Sequence, residues 1–236
     1  MATEPEAQPQ PQEEQEQTKE MEEMSAEDQC HKICRSYQRQ FPTVKALSSE
    51  EYLRELVDKP HLLVDCRTGP EQRLSMIRGA IPFEDVDKTM RDANNKTKAE
   101  KDKEDATSTD KTPIVTYCTV GFRSSLDAAL LQKKYPDRPV YSLDGIVAYT
   151  HAIGKLDTPS LSKLARPLIN PATKEATVQV HTFGPNWNCV HPDYKPQGFA
   201  FWGMLVRMVQ VMVKVFRRSL QGCAPKPMAT TKEKQG

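Results

Sequence analysis

Near its midpoint the chain reads Pro113-Ile-Val-Thr-Tyr117-Cys118-Thr-Val-Gly-Phe-Arg123-Ser124. The first five of these residues have the β-branched and aromatic composition of a short buried strand. Ser124 can cap a helix that follows the loop. The segment therefore predicts a strand that passes through a short loop into a helix, with Cys118 directly after the strand.

Strand and helix signals alternate on both sides of this segment. Ser48 and Glu51 have the spacing of a capping box at the start of a helix, and Gly145 opens another helix. Strand character recurs at residues 61–65, 79–82 and 139–143. This alternation predicts an α/β fold with a mostly parallel sheet that helices cover on both faces. Because such sheets bind ligands beyond the carboxyl ends of their strands, Cys118 lies where a site is expected.

The loop 118–123 combines a nucleophile with features that stabilise an anion. Gly121 permits backbone conformations that other residues avoid, and the start of the following helix contributes about half a positive charge. Arg123 contributes a full positive charge. These features favour the thiolate of Cys118, which is the reactive form of cysteine. An isolated cysteine is more often a buried structural residue, but the spacing from Gly121 and Arg123 favours a nucleophile.

This loop resembles the active-site loop of the rhodanese sulfurtransferases, and the resemblance extends over about residues 46–156. Three further segments resemble markers of that family in the same order: Leu62-Leu-Val-Asp65-Cys-Arg67, Ile77-Arg-Gly79-Ala-Ile81 and Val140-Tyr-Ser-Leu-Asp-Gly145. The resemblance implies a rhodanese-like five-stranded parallel sheet flanked by helices. Met76 stands where the family often has His, and Tyr149 takes the place of the usual Trp.

The resemblance also implies roles for individual residues. Cys118 is the sulfur-accepting nucleophile and Arg123 the loop arginine, with Asp65 and Arg67 as structural support behind the site. The implied substrate-binding residues are Thr119, Val120, Gly121, Phe122 and Ser124. The implied enzyme takes sulfane sulfur from thiosulfate or a glutathione-type persulfide, forms a Cys118 persulfide and passes the sulfur to a thiol or cyanide. No metal and no cofactor are expected.

Two other functions remain open for this loop. The rhodanese fold is shared by cell-cycle dual-specificity phosphatases, whose loop places five residues between Cys and Arg, whereas four separate Cys118 from Arg123. The fold also supplies non-catalytic interaction modules, although the retention of Cys118, Gly121 and Arg123 argues against that role.

The 33 basic and 32 acidic residues nearly cancel, but they are segregated along the chain. Residues 1–30 hold ten acidic residues and one lysine, whereas residues 194–236 hold eight basic residues and one acidic residue. The near-neutral total gives no indication of a nucleic-acid partner. The acidic start lacks the features of a secretory or mitochondrial signal, so a cytoplasmic location is expected. The predicted organisation is a disordered acidic tail (1–30), a rhodanese-like domain (43–157) with a charged, solvated insertion (87–112), an irregular extension (158–197), an amphipathic basic helix (198–221) and a flexible tail (222–236).

The helix expected at 198–221 separates polar from apolar residues. Its polar arc contains Gly203, Arg207, Gln210, Lys214, Arg217, Arg218 and Gln221. A membrane-spanning arrangement is disfavoured because Arg207 and Lys214 would lie deep in the bilayer. Two arrangements remain: the helix packs on the domain or on a partner protein, or it lies peripherally in a membrane interface with its bases near anionic lipid.

Metal-type residues occur in two other places. Cys30, His31 and Cys34 lie close together in sequence, and His181, Cys189 and His191 are scattered further along. The first group lacks the spacing of a usual zinc pair, so it is expected to pack or face solvent. Val190-His-Pro192, followed by Trp202-Gly203, resembles an extension found after the rhodanese domain in some single-domain relatives, which favours a packing role for the second group.

Overall fold

The computed structural model describes residues 24–101, 111–156, 167–198 and 201–222. Most of the predicted acidic tail, the middle of the charged insertion, the start of the extension and the final tail lie outside these residues.

The described residues form alternating helices and strands. The first half of the chain contains α1 (Ala26–Gln38), β1 (Lys45–Leu47), α2 (Ser49–Glu55), β2 (Leu62–Asp65), α3 (Gly69–Leu74), β3 (Met76–Ile77), β4 (Ile81–Pro82) and α4 (Val86–Lys101). The second half contains β5 (Ile114–Tyr117), α5 (Phe122–Lys134), β6 (Val140–Leu143), α6 (Ile146–Gly154), β7 (Leu168–Ile169), β8 (Gln179–Phe183), β9 (Lys195–Gly198) and α7 (Phe201–Leu220).

Five of the strands form one parallel sheet in the order β1-β6-β5-β2-β4. In the middle of the sheet, Val115 of β5 pairs with Leu63 on one side and with Tyr141 on the other. Because the strands are parallel, their carboxyl ends share one edge, and the loop that begins at Cys118 lies at that edge. The five-stranded parallel sheet flanked by helices that the sequence predicts is therefore confirmed.

Alternate side chains of the central strands enter two cores on opposite faces of the sheet. Leu63 and Val115 belong to the core that also contains residues of α1, α2 and α6. Val64 and Ile114 belong to the core that also contains residues of α4 and α5. All four side chains are at most 1% exposed. Burial on both faces explains why these strands read as uninterrupted apolar runs.

The helix caps follow the sequence prediction at Ser48 and depart from it at Ser124. The Ser48 hydroxyl accepts the Glu51 N–H at 3.1 Å, and the Ser48 N–H donates to the Glu51 carboxylate at 2.9 Å. The cap predicted at Ser124 is wrong, because α5 already begins at Phe122 and its capping residue is Gly121. Gly121 has φ +91°, which places it in the left-handed region that favours glycine.

An ordered helix replaces the end of the predicted acidic tail. α1 begins at Ala26, where the hydroxyl of Ser25 accepts the Asp28 N–H at 3.1 Å. Cys30 and Cys34 of this helix are buried in the core. Because these two side chains lie on one face of the helix and are buried, they hold residues 26–30 against the core despite the acidic neighbours.

The charged insertion and the extension also contain regular structure. Within the insertion, which the sequence predicts to be solvated and at most partly helical, residues 86–101 form α4, and Val86 and Met90 bury the start of this helix against the sheet. The extension, predicted to be irregular, supplies β7, which pairs antiparallel with β3, and the parallel pair β8–β9. Val180 of β8 is fully buried in the core, so the extension is an integral part of the fold.

The C-terminal helix α7 packs on the domain through part of its surface. Nζ of Lys214 lies 2.5 Å from the buried carboxylate of Asp127 on α5, and Val215 packs against the adjacent core. Large apolar side chains elsewhere on the helix are 44–74% exposed: Leu205, Val206, Met208, Val209, Met212, Val213, Phe216 and Leu220. In the described part of the chain, no helix combines the length and apolar character needed to cross a membrane.

Candidate active site

The start of α6 holds the loop 118–123 in place. The N–H of Ile146 donates to the carbonyl of Cys118 at 2.8 Å, and the N–H of Val147 donates to the carbonyl of Thr119 at 3.3 Å. Gly145 permits this close approach, since a Cβ at this position would lie 2.3 Å from the Thr119 carbonyl oxygen. Hydrogen bonds from α6 therefore fix the loop conformation, in addition to the left-handed backbone of Gly121.

The sulfur of Cys118 lies at the end of a chain of serine hydroxyls. The Ser124 hydroxyl lies 3.6 Å from the Cys118 sulfur as a donor, and 3.1 Å from the Gly121 carbonyl oxygen. The Ser142 hydroxyl donates to Ser124 at 3.1 Å, and Ser125 bonds both Ser142 and Gly121. Because Ser142 donates to Ser124, the proton of Ser124 is directed at the sulfur or at the carbonyl of Gly121. When this proton points to the sulfur, the hydrogen bond stabilises a charged sulfur.

Arg123 is paired with Glu71, a residue that the sequence did not single out. Its two terminal nitrogens each donate to the Glu71 carboxylate at 2.7 Å, and one also donates to the Thr119 hydroxyl at 2.8 Å. Glu71 is fully buried. Burial alone would raise the pKa of Glu71, but the adjacent Arg123 outweighs burial and holds that pKa well below its usual range. The positive charge that the sequence assigned to the sulfur is thus balanced by a carboxylate.

The only sequence signal for Glu71 is local. Thr68 and Glu71 form a capping box at the start of α3, with the Glu71 carboxylate 2.9 Å from the Thr68 N–H. That spacing predicts a helix start, but it does not predict a partner for Arg123.

Asp65 and Arg67 form a second buried ion pair, next to the loop's strand. Arg67 donates to the Asp65 carboxylate at distances of 2.7–3.2 Å and to the Ser75 carbonyl at 2.5 Å. The Tyr117 hydroxyl donates to Asp65 at 2.7 Å and accepts the N–H of Ile77 at 3.1 Å. This network ties β5, immediately before Cys118, to β2 and β3. It has the geometry of a structural support.

A cavity of about 240 Å³ lies against Cys118. Five loop residues line it: Cys118, Thr119, Val120, Phe122 and Arg123. Tyr37 of α1 contributes to its wall, as do Phe183 and Trp187 of the extension and three residues of α7, Met208, Val211 and Met212. Phe183 has φ +68°, next to an irregularity in the β8–β9 pairing, and its ring centre lies 5.4 Å from the Arg123 guanidinium. Strained backbone of this kind is found preferentially at functional sites.

Three of the metal-type residues, Cys30, Cys34 and Cys189, meet in the core. The sulfurs of Cys30 and Cys34 lie 3.8 Å apart in the core, and Cys30 also contacts Cys189. His31 instead lies near Glu27 and Glu50 at distances of 3.3 and 3.9 Å, where Lys155 pairs with the same Glu27 carboxylate. His181 accepts the N–H of Phe183 at 3.1 Å, and the ring of His191 packs against that of His151.

Residues 48–151 match the family model of the rhodanese-like domain. A comparison with curated proteins found no match. Among solved structures, the chain is similar to the reduced CoADR-RHD protein of Bacillus anthracis, with 21% identity over 48% of this chain and 17% of that one and a TM-score of 0.33.

Two further solved structures are similar to the chain at comparable levels. The thiosulfate sulfurtransferase of Pseudomonas aeruginosa is 20% identical over 51% of this chain and 22% of that one, with a TM-score of 0.36. A Rhodopseudomonas palustris protein described as a possible tyrosine phosphatase is 18% identical over 50% of this chain and 87% of that one, with a TM-score of 0.34. The chain thus spans about a fifth of the B. anthracis and P. aeruginosa proteins.

Proposed function

Residues 48–151 form a rhodanese-like domain, and from this premise we propose that the chain is a sulfurtransferase whose nucleophile is Cys118. The donor is thiosulfate or a glutathione-type persulfide, and the acceptor is a thiol or cyanide. The observation that carries the proposal is the position of Cys118: this residue lines a cavity at the start of α5, and its sulfur lies 3.6 Å from the Ser124 hydroxyl. A helix start and a hydrogen-bond donor both favour the thiolate.

In the first half-reaction the Cys118 thiolate attacks the outer sulfur of the donor. A new S–S bond forms, the donor S–S bond breaks, and its electron pair leaves with sulfite when the donor is thiosulfate. Cys118 then carries a persulfide. In the second half-reaction the acceptor attacks the outer sulfur of that persulfide, and Cys118 returns to the thiolate. The first N–H groups of α5 have no carbonyl partner within the helix, so they favour negative charge at the loop in both steps.

The other loop residues have supporting roles in this proposal. Thr119, Val120 and Phe122 form part of the cavity wall, and Gly121 gives the loop its left-handed turn. Arg123 holds the loop to α3 through Glu71. Asp65 and Arg67 support β5 from behind through Tyr117.

Intact mass spectrometry tests the nucleophile directly. Thiosulfate or glutathione persulfide is expected to make the chain one sulfur heavier, and cyanide is expected to remove that sulfur. Cys118→Ser should block the addition, whereas Cys66→Ala, which changes another buried cysteine, should not. If no donor adds sulfur to the chain and a pulldown retains a stable partner, the chain is an interaction module. Cys118-dependent hydrolysis of an aryl phosphate would identify a phosphatase.

We also propose that α7 attaches the cytoplasmic protein peripherally to a membrane surface. The proposal rests on the exposed apolar side chains of this helix and on the exposed basic residue Arg217. Vesicles that contain anionic lipid should sediment the chain, and replacing Met212 and Phe216 with Gln should abolish sedimentation. Equal sedimentation of both proteins would contradict the proposal, and self-association or retention of a partner protein through these residues would assign the surface to protein binding.

A further inference from the structure

The cavity at Cys118 is lined almost entirely by apolar side chains. Tyr37, Phe183 and Trp187 present aromatic rings, and α7 adds two methionines and a valine. Among the side chains that the structure describes along the cavity, Arg123 is the only one with a permanent charge.

Arg123 has no free charge to offer a ligand. Both of its terminal nitrogens donate to Glu71 at 2.7 Å, and the Glu71 side chain is fully buried. The two charges therefore cancel at the cavity wall. An anion that enters must give up water without gaining an unpaired cation, which is energetically costly. The N–H groups at the start of α5 can still receive the anionic end of a donor beside Cys118, but the side chains that line the rest of the cavity suit an uncharged group.

The volume of the cavity limits the group that can fill it. A cavity of about 150 Å³ lined by apolar residues binds benzene, and this one measures about 240 Å³. It has room for one aromatic ring with a short side chain, or for a branched alkyl chain of similar size. Met208 and Met212 can adjust to either shape because methionine side chains are flexible.

We propose that the sulfur acceptor is an uncharged organic thiol whose aromatic or branched aliphatic group fills this cavity. The assignment rests on the proposed sulfurtransferase function. The thiol proton passes to the terminal sulfur of the Cys118 persulfide, and the resulting acceptor thiolate attacks that same sulfur. The acceptor S–S bond forms as the Cys118 S–S bond breaks, and the electron pair remains on Cys118 as a thiolate. The acceptor leaves as a neutral persulfide, so the step needs no oxidant or reductant.

The test compares two acceptors with the same benzylic thiol, benzyl mercaptan and 4-(mercaptomethyl)benzoate. Cys118 is loaded with inorganic polysulfide, the excess is removed, and loss of the added sulfur is followed by intact mass. Benzyl mercaptan should remove it at least about tenfold faster at equal concentration, because burying the carboxylate of the other acceptor without a counter-charge costs more than that factor. Equal rates, or a faster reaction with the carboxylate, would overturn the proposal.

A variant of α7 tests whether the apolar lining causes the preference for benzyl mercaptan. Val211→Lys places an unpaired cation in the cavity, outside the catalytic loop, and should remove or reverse the preference for benzyl mercaptan. Val211→Gln is the matched control, since it is polar but uncharged, and it should keep the preference. An unchanged rate ratio in Val211→Lys would show that the cavity does not select the acceptor.

Binding without sulfur transfer separates this inference from the proposed function. Benzyl methyl sulfide should protect Cys118 from alkylation by iodoacetamide at a lower concentration than its 4-carboxylate analogue. If polysulfide leaves no sulfur on Cys118, the sulfurtransferase function fails, yet the two thioethers still measure the preference of the cavity. Equal protection by both thioethers would overturn the apolar assignment even for an active enzyme.

Discussion

At the scale of single residues, Gly145 sets the spacing between the catalytic loop and α6. A Cβ there would lie 2.3 Å from the Thr119 carbonyl oxygen, and φ is +131°. Gly145→Ala should lower the free energy of unfolding by about 1–3 kcal/mol, because both the contact and the backbone conformation exclude a side chain. Urea denaturation measures this loss. Gly198→Ala is the control, since the nearest atom to its Cβ would lie at 4.0 Å; equal stability of the two variants would contradict the prediction.

Glu71→Gln removes the charge that balances Arg123 but keeps the size of the side chain. We expect a loss of about 3–5 kcal/mol in unfolding free energy, because a buried guanidinium then lacks a counter-charge. The comparison is Glu51→Gln, which alters an exposed capping carboxylate and should cost less than about 1 kcal/mol, because the amide oxygen of Gln can still accept the Ser48 N–H. Urea denaturation of both variants measures the difference, and a cost for Glu71→Gln no larger than for Glu51→Gln would argue against the buried pair.

Asp144 should make stability depend on pH between about 4 and 7. Burial raises the pKa of Asp144 to about 7, even though the Ser49 hydroxyl and N–H donate to it at 2.5 and 3.0 Å. The folded state therefore binds a proton that the unfolded state, with a pKa of about 3.9, releases. The protonated Asp144 carboxyl contributes its full stabilisation to the folded state below about pH 4, and this contribution is lost as the pH rises through 7.

Asp144→Asn should remove this loss. Urea midpoints at pH 5 and pH 8 give the measurement, and the wild-type chain should lose stability relative to the variant over that interval. Comparing the two proteins cancels the opposite contribution of His151, whose pKa is lowered by burial. Parallel pH profiles for the two proteins would contradict the raised pKa.

The sequence places Cys118 and Arg123 together because the loop that joins them is local. It does not reveal that Arg123 pairs with Glu71, since 52 residues separate them and only the fold brings them together. Ser142 is missed for the same reason. Its one signal is a serine within an apolar strand, a position where a buried hydroxyl requires a partner.

At the scale of secondary-structure elements, Lys214 anchors α7 beside the cavity. Lys214 pairs with the buried Asp127 of α5, and it lies on the same helix as the cavity residues Met208, Val211 and Met212. Lys214→Ala should loosen the helix and expose Cys118, so alkylation by iodoacetamide should become several times faster. Lys88→Ala, at an exposed position of α4, should leave the rate unchanged. Equal rates in both variants would show that α7 does not cover Cys118.

Elements with strong apolar patterns are predictable, and elements held by tertiary contacts are not. β2, β5 and β6 are buried on both faces, so their apolar runs identify them. The charged sequence of α4 predicts a solvated segment that is at most partly helical, yet Val86 and Met90 anchor its first turns. β7 contains only two residues, and it exists because β3 pairs with it. The expectations that differ from the structure therefore fall where the fold, and not local sequence, decides.

At the scale of the whole molecule, burial should restrict sulfur addition to one site. Hydrogen bonding to Cys30, together with burial, raises the pKa of Cys189, and burial raises that of Cys66. Thiols held protonated react poorly with sulfur donors. In a Cys223→Ser background, excess donor should add one sulfur per native chain and more per chain in urea. Intact mass counts the additions, and several sulfurs on the native chain would contradict this selectivity.

The two edges of the main sheet have a consequence for solubility. β1 is three residues long, and β4 has only two residues, one of which is Pro82 with no N–H to donate. An exposed edge strand can pair with the edge of another molecule and start aggregation, and short strands or proline prevent such pairing. Both edges of this sheet therefore offer few free hydrogen-bonding groups to a neighbouring chain. Lengthening either edge with alternating apolar residues would turn a protected boundary into a template for intermolecular β-structure.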